Sequence, residues 1–290
     1  MRILVTGARG QLGRACLEVL TAAGFDTVGV DLPDSDLTQP GVADRELARH
    51  RPDRVIHAAA YTAVDRAETE RDLALAVNAT ATALVAAACR DHGCALTYIS
   101  TDYVFAGDCA EGYLEDAPPD PLNWYGVTKA RGEAAIRQAG GSWQIVRTSW
   151  LFGHGPANFV RTVYRRLRRR EALNVVADQR GCPTYALDLA ELLKDLAVAE
   201  GVGIYHGTNS GVCSWYELAQ AVAAAGGFDV ELVRPCATAD YPTAARRPAC
   251  SVLRDSRLAT LGLAPRPAWR DAVTRYVGWL QANEEASEHD

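Results

Sequence analysis

Apolar positions fall in short blocks through the first half of the chain, and the blocks alternate between a strand period and a helix period. RILVT at 2–6 has an unbroken apolar centre, which predicts a strand buried on both faces. A helical stripe follows over 11–23, a second strand over 27–31, a short helix over 45–50 and a third strand over 54–58. A long helix over 73–91 leads to a strand at 95–100, a helix from 125 to about 138 and a strand at 144–148. Apolar strands alternating with helices predict an α/β fold with a doubly wound, Rossmann-like parallel sheet.

Beyond Trp150 the pattern loosens into a helix over 158–170, a strand over 173–176, a helix over 187–199, a strand over 204–206 and a helix over 214–225. Some of these are expected to return to the sheet. The proline-rich stretch 231–268 is expected to cap it. Residues 269–282 read as a terminal helix with Pro267 just ahead, and 283–290 as a frayed, disordered acidic tail.

A chain of 290 residues, 48% of them hydrophobic, can build one large core and a smaller lobe. The net charge of −6 is spread along the chain and leaves no basic footprint for nucleic acid. RRLRRRE at 165–171 is the local exception and reads as a solvated helix face. The eight cysteines show no C-x-x-C and no histidine at zinc spacing, so they read as small buried residues in a reducing cytosol, with no metal expected. MRILVTGARG has no basic leader and no later apolar run approaches membrane length, so the expected protein is soluble, cytoplasmic and without a membrane partner.

VTGARGQLG changes the picture. Gly7, Gly10 and Gly13 end the first strand and open the first helix, with Arg9, Gln11 and Leu12 between them. At that junction, backbone amides and a helix N-terminus can hold a pyrophosphate. Asp31 would bond the adenosine ribose hydroxyls, which favours NADH, whereas Arg9 could neutralise the 2′-phosphate of NADPH. Both cofactors stay open. The expected division is a dinucleotide-binding domain over 1–150 with returning segments in about 172–230, and a partly interleaved substrate-binding lobe over about 151–171 and 231–282.

YISTDYVF places Ser100, Thr101, Asp102 and Tyr103 at the C-terminal end of a parallel strand, where ligands collect in open sheets. Tyr125 and Lys129, four residues apart on one helix, face the same way. Hydride arriving at a carbonyl carbon builds negative charge on oxygen, and a phenol can supply the quenching proton. Its ordinary pKa is about 10, and a neighbouring ammonium would bring it closer to working pH. Lys129 could provide that field and hold the nicotinamide ribose, while the Thr101 hydroxyl bonds the substrate oxygen. His57, at a strand end, reads as a packed histidine.

These segments resemble an extended short-chain dehydrogenase/reductase, and within it the dTDP-4-dehydrorhamnose reductase family. The likeness runs in order through GARGQLG, HAAAYTAVDRAE, VNAT, YISTDYVFAG, PLNWYGVTKARGE, IVRTSWLFG, NFV, VVADQRGCPTYALDLA, GIYHGTNSGVCSWYELA and YPTAARRPACSVL. It implies NAD(P)H-dependent reduction of the 4-keto group of dTDP-4-dehydro-L-rhamnose to dTDP-L-rhamnose, with Thr101, Tyr125 and Lys129 as the catalytic group. Ala59, Ala60 and Thr62 would line the cofactor, with Asn78 supporting that wall, and Asp102 and Tyr103 would meet the substrate. Trp150 would pack against the sugar. Gln179 and Arg247 would reach the phosphates or base, with Arg246 the substitute if the alignment slips by one.

Some members of the family bridge two subunits through a metal held by glutamates. Ala15 and Asp188 stand at two of those places here, so a monomer or a homodimer without metal is expected. Two other readings follow from the resemblance. One is a reductase of another nucleotide-linked 4-keto-6-deoxy sugar, since CAEGYLEDAPPD borders the sugar site and varies among relatives. The other is a non-catalytic, cofactor-binding partner like the regulatory subunit of methionine adenosyltransferase.

Overall fold

The structure, a computed structural model, describes residues 1–155, 158–199 and 201–284. The first half alternates as β1 (Arg2–Thr6), α1 (Gln11–Ala22), β2 (Asp26–Val30), α2 (Val42–His50) and β3 (Arg54–His57). Short helices α3 (Val64–Ala67) and α4 (Arg71–Leu75) precede α5 (Ala81–Asp91), β4 (Ala95–Thr101), α6 (Trp124–Ala139) and β5 (Trp143–Thr148). The second half adds β6 (Leu151–Phe152), α7 (Phe159–Arg168), β7 (Leu173–Val176), β8 (Arg180–Gly181), β9 (Thr184–Tyr185) and α8 (Ala186–Val198). Then come β10 (Gly203–His206), β11 (Cys213–Ser214), α9 (Trp215–Gly226), β12 (Val233–Cys236) and α10 (Trp269–Glu284).

Six parallel strands form the central sheet in the order β10-β5-β4-β3-β1-β2. From β1 the chain runs outward to β2, then crosses back over β1 to β3, so the order reverses between β1 and β3. A crevice opens at such a reversal, above the carboxyl ends of the strands. Within β1, Ile3 and Val5 pack with α1 and α8, whereas Leu4 packs with α2 and α5 on the other face. This period of two is what a sheet covered on both sides demands.

Of the segments between 172 and 230, α8 and β10 return to that sheet. β7 and α9 do not: they pack with α7, β12 and α10 around a second core. The stretch expected to be only a cap contributes β12, which pairs in parallel with β7. Of the tail expected over 283–290, Asn283 and Glu284 continue α10, and the rest lies outside the described residues.

The expected helix over 73–91 begins earlier and is not uniform. Residues Ala76–Thr80 form a π-turn between α4 and α5. The continuous run Arg71–Asp91 is 21 residues long and apolar enough to cross a bilayer, contrary to the sequence reading, yet Val85, Ala86 and Cys89 are packed onto the sheet.

Close backbone approach seats α6. A Cβ on Gly132 would lie 2.5 Å from the Asn78 carbonyl oxygen and 2.6 Å from Tyr98 Oη, and one on Gly126 would lie 2.1 Å from the Tyr103 carbonyl oxygen. A fully buried ion pair ties the same helix to β5: Arg147 Nε and Nη2 donate to the Glu133 carboxylate at 2.9 and 2.7 Å. Ser100 Oγ of β4 adds a third hydrogen bond to that carboxylate at 2.6 Å.

Candidate active site

The β1–α1 turn needs its glycines for space as well as for conformation. Gly7 has φ +66°, and a Cβ there would stand 2.7 Å from the Ala59 nitrogen; one on Gly13 would stand 2.1 Å from the Gly7 carbonyl oxygen. α1 starts from Gly10 with no side-chain cap and no acidic residue in its first turn, which leaves its leading amides available to an anion. At the end of β2, the Asp31 carboxylate accepts from the amides of Arg9 at 2.7 Å and Leu32 at 2.8 Å.

These groups border a cleft of about 670 Å³ at the β1/β3 reversal. Its walls include Gly7, Gly10, Gln11, Leu12, Gly13 and Asp31 at one end, and Ala59, Ala60 and Thr62 along one side. Arg9 stands beside the cleft. It is not part of the wall, because its guanidinium is drawn to the Leu32 carbonyl at 2.6 Å and to Asp34 at 3.3 Å. Asn78 stands behind the wall. From the π-turn it accepts from the Tyr61 amide at 2.8 Å, donates to the Tyr61 carbonyl at 3.0 Å and reaches Thr128 at 3.0 Å.

At the far end of the cleft, β4 delivers Thr101, the 3-10 turn after it delivers Asp102 and Tyr103, and α6 delivers Tyr125 and Lys129. Asn123 caps α6 by accepting from the Gly126 amide at 2.8 Å, and its side-chain nitrogen holds the Arg246 carbonyl at 2.8 Å. Tyr125 packs edge-on against Tyr103, with ring centroids 5.7 Å apart. Thr101 Oγ1 donates to Asp102 Oδ1 at 3.0 Å, and its side chain also interacts with the Tyr125 phenol.

The electrostatics overturn one expectation. Burial pushes the Tyr125 phenol up from its ordinary value; Thr101 opposes that, and the Asp102 charge adds to it. Lys129 does not pull the phenol down. Its amine is turned to the strand, donating to the Ile99 carbonyl at 2.6 Å and lying 4.1 Å from the centre of the Tyr98 ring. Burial takes the amine down to about 7, against the opposing pull of Glu133 one helical turn on.

Asp102, 1% exposed, is pushed up to about 6 by burial, and its Oδ2 makes no hydrogen bond of good geometry although Ser251 and Thr101 both act to lower it. His57 is a packed histidine between Thr6 at 2.7 Å and Thr82 at 3.2 Å, and burial followed by the Lys129 charge holds it down to about 3.

Trp150 lines the cleft beside this group and adopts φ +48°. Its indole stacks on Trp215 with centroids 3.6 Å apart and planes 10° apart. Trp215 is also part of the wall of a second cavity, about 330 Å³, together with Phe159, Gln179, Arg166 and Arg247. Gln179 accepts from the Trp215 indole nitrogen at 3.2 Å and donates to Thr238 at 3.0 Å. Arg247 forms a forked pair with Asp65 at 2.8 and 3.0 Å, which holds that carboxyl below its ordinary range. Arg246 does not line either cavity.

Trp215, Phe159 and Arg166 were not singled out from sequence. NFV and SWYELA carry the first two and lie among the segments of resemblance; Arg166 sat in a run read as solvated surface.

Among the described residues no group of three or more metal-capable side chains is found. Asp188 is engaged by Arg275 at 2.7 Å and Asn209 at 2.6 Å, and Ala15 is buried against α8.

A family model described as RmlD substrate binding domain matches residues 1–281. The chain is 43% identical over 275 residues to a Streptomyces antibioticus protein named "Probable dTDP-4,6-dihydroxy-2-methyloxan-3-one 4-ketoreductase", covering 94% of this chain and 93% of that one. It is 40% identical over 279 residues to a dTDP-4-dehydrorhamnose reductase of Streptomyces griseus, covering 94% and 92%. The crystal structure of dTDP-4-dehydrorhamnose reductase from Bacillus anthracis in complex with NADP matches with a TM-score of 0.92 at 40% identity, over 95% of this chain and 98% of that one.

Proposed function

The chain belongs to the RmlD substrate binding domain family, and on that premise we propose that it reduces the 4-keto group of dTDP-4-dehydro-L-rhamnose to give dTDP-L-rhamnose, using NADPH or NADH. The observation that carries this reading is the meeting, in one cleft, of the glycine turn after β1 with Thr101, Tyr125 and Lys129.

The cleft suits a nicotinamide dinucleotide: a Cβ at Gly7 would strike the Ala59 backbone and one at Gly13 the Gly7 carbonyl oxygen, so glycine keeps the turn tight, and α1 begins with no side chain capping its leading amides. Gly7, Gly10, Gln11, Leu12 and Gly13 hold the pyrophosphate, and Asp31 takes the adenosine ribose. Ala59, Ala60 and Thr62 flank the ring end. A bound nicotinamide supplies the hydride.

Tyr125 delivers the proton to the oxygen on which charge develops. A phenol of ordinary pKa about 10 is protonated at neutral pH, and burial moves Tyr125 further in that direction, so the proton is in place before it is needed. Thr101 fixes the direction of the phenol and bonds the same substrate oxygen. Lys129 holds the nicotinamide ribose, and Glu133 helps keep that amine charged. Asp102, Tyr103 and Trp150 contact the sugar. The second cavity receives the nucleotide, with aromatic walls at Phe159 and Trp215 for the base and Arg166, Gln179 and Arg247 for the phosphates or base.

A second reading, reduction of a different nucleotide-linked 4-keto-6-deoxy sugar, is favoured by the 43% identity to the Streptomyces antibioticus protein. A panel of 4-keto nucleotide sugars assayed with NADH and NADPH, with product stereochemistry read by NMR, separates the two. Cofactor oxidation with the rhamnose precursor alone supports the first. Cofactor binding with turnover of no member of the panel overturns both and points to a partner protein.

A further inference from the structure

Gly181 of β8 has no conformational need to be glycine, since its φ lies outside the left-handed region. Its need is spatial. A Cβ there would stand 2.4 Å from Trp150 Cε2, with the bonded neighbours Cζ2 and Nε1 at 2.6 and 2.7 Å. The atom nearest the centre of that trio is the closest, so the contact is with the face of the indole rather than its edge. Trp215 stacks at 3.6 Å and leaves no room for main chain on its own side, so Gly181 covers the opposite face. Both faces of Trp150 are therefore taken, and what the ring offers the cleft is its rim.

Neither side of this sandwich can retreat. The Arg180 amide and carbonyl are bonded to Ala249 and Ser251 at 2.8 Å each, and β8 pairs with β11. Ser214 of β11 opens α9 with a full capping box to Glu217, and Trp215 is the next residue. The indole nitrogen of Trp215 is anchored on Gln179, two residues before Gly181.

We propose that Gly181 and Trp215 are positioning residues that clamp Trp150, so that its rim stands at a fixed depth in the sugar end of the cleft. The inference rests on the sugar-nucleotide reading above. It also gives the second cavity a part in placing the sugar, because the same Trp215 ring walls that cavity and braces Trp150.

The test is Gly181→Ala, Trp150→Phe and the double variant, assayed with the 4-keto nucleotide sugar that the wild-type enzyme reduces. Gly181→Ala is expected to raise KM for the sugar nucleotide about 10-fold or more, the scale of a misplacement approaching 1 Å, with NADPH affinity within about twofold of wild type. The smaller phenyl ring makes room for the methyl, so the double variant is expected to be no worse than Trp150→Phe alone. Wild-type KM in Gly181→Ala, or a double variant carrying the full product of the two losses, overturns the proposal. Trp215→Leu guards against misfolding of the alanine variant, since it removes one face of the clamp without a clash. It too must raise KM for the sugar nucleotide, and an unchanged value overturns the proposal.

Far-UV circular dichroism reads the clamp without substrate: the exciton couplet of the stacked tryptophans is expected in wild type and lost in Trp215→Leu. A wild type that reduces no sugar nucleotide yet shows this signal defeats the functional reading and leaves the clamp standing; absence of the signal in wild type defeats the clamp.

Discussion

Lys129 and Tyr125 were recognisable from a spacing of four residues together with the glycine turn and Thr101 at a strand end, but the state of their protons was not. A spacing says that two side chains share a helix face; it does not say that one of them bends toward a strand carbonyl. Tyr125→Phe is expected to keep cofactor affinity and lose turnover by about 10² or more, the size of a positioned general acid, and unchanged turnover would remove Tyr125 from the mechanism.

Lys129 allows a second measurement that does not depend on substrate. Its amine falls from 10.5 to about 7 on folding, so the folded protein holds that proton less tightly than the unfolded chain does. The resulting loss of stability is absent above pH 10.5, grows as pH falls and is complete below pH 7. Lys129→Met is thus expected to abolish turnover while raising the melting temperature at pH 7, by on the order of a few kcal/mol in stability, with little gain near pH 10.5. An equal gain at both pH values would mean that the cost is packing and not charge.

At the scale of elements, the long alternation of strand and helix was legible because each block is long enough to show its period. β6, β8, β9 and β11, of two residues each, carry no period at all. The π-turn at 76–80 was invisible for a related reason: its apolar residues continue the helical stripe, and only the bonds from Asn78 to Tyr61 mark the place where the ladder shifts. Nor did sequence expose the partner of Glu133, since Arg147 lies on a different element.

That pair fixes α6, and with it the face that carries Tyr125 and Lys129, against β5. Arg147→Met alone strands a carboxylate with no exposure to water and is expected to cost about 3–5 kcal/mol in denaturant unfolding. The double change Glu133→Leu with Arg147→Met is expected to recover most of it. Comparable losses in the single and double variants would show that the two charges are not coupled.

For the molecule as a whole, sequence conveyed a sheet and an additional lobe but did not say which later segments join the sheet, and β7 and α9 pack in the second core. An apolar face read from sequence does not name the core it packs against, and only the three-dimensional path of the chain does. The outcome is two packed bodies, one under the glycine turn and one around α7, α9 and α10, with a cavity associated with each. If the second cavity takes the nucleotide, dTDP alone is expected to raise the melting temperature, with about 2.7 kcal/mol of added stability at a hundred times its dissociation constant. Competition by Arg247→Ala should weaken that shift while leaving the NADPH-induced shift intact. No shift with dTDP would remove the nucleotide from this cavity.

The order of the central sheet sets a timetable for the growing chain. Five of the six strands have been synthesised once residue 148 is added, yet the neighbour that covers the outer side of β5 is β10, which begins at Gly203. The intervening stretch supplies the start of the second body, so β5 waits through more than fifty residues of synthesis with one row of main-chain amides and carbonyls unpaired. An open strand edge invites pairing with another chain. During its own synthesis, this protein therefore carries a temporary open edge at β5, the strand that also carries Arg147, and that edge closes when β10 docks.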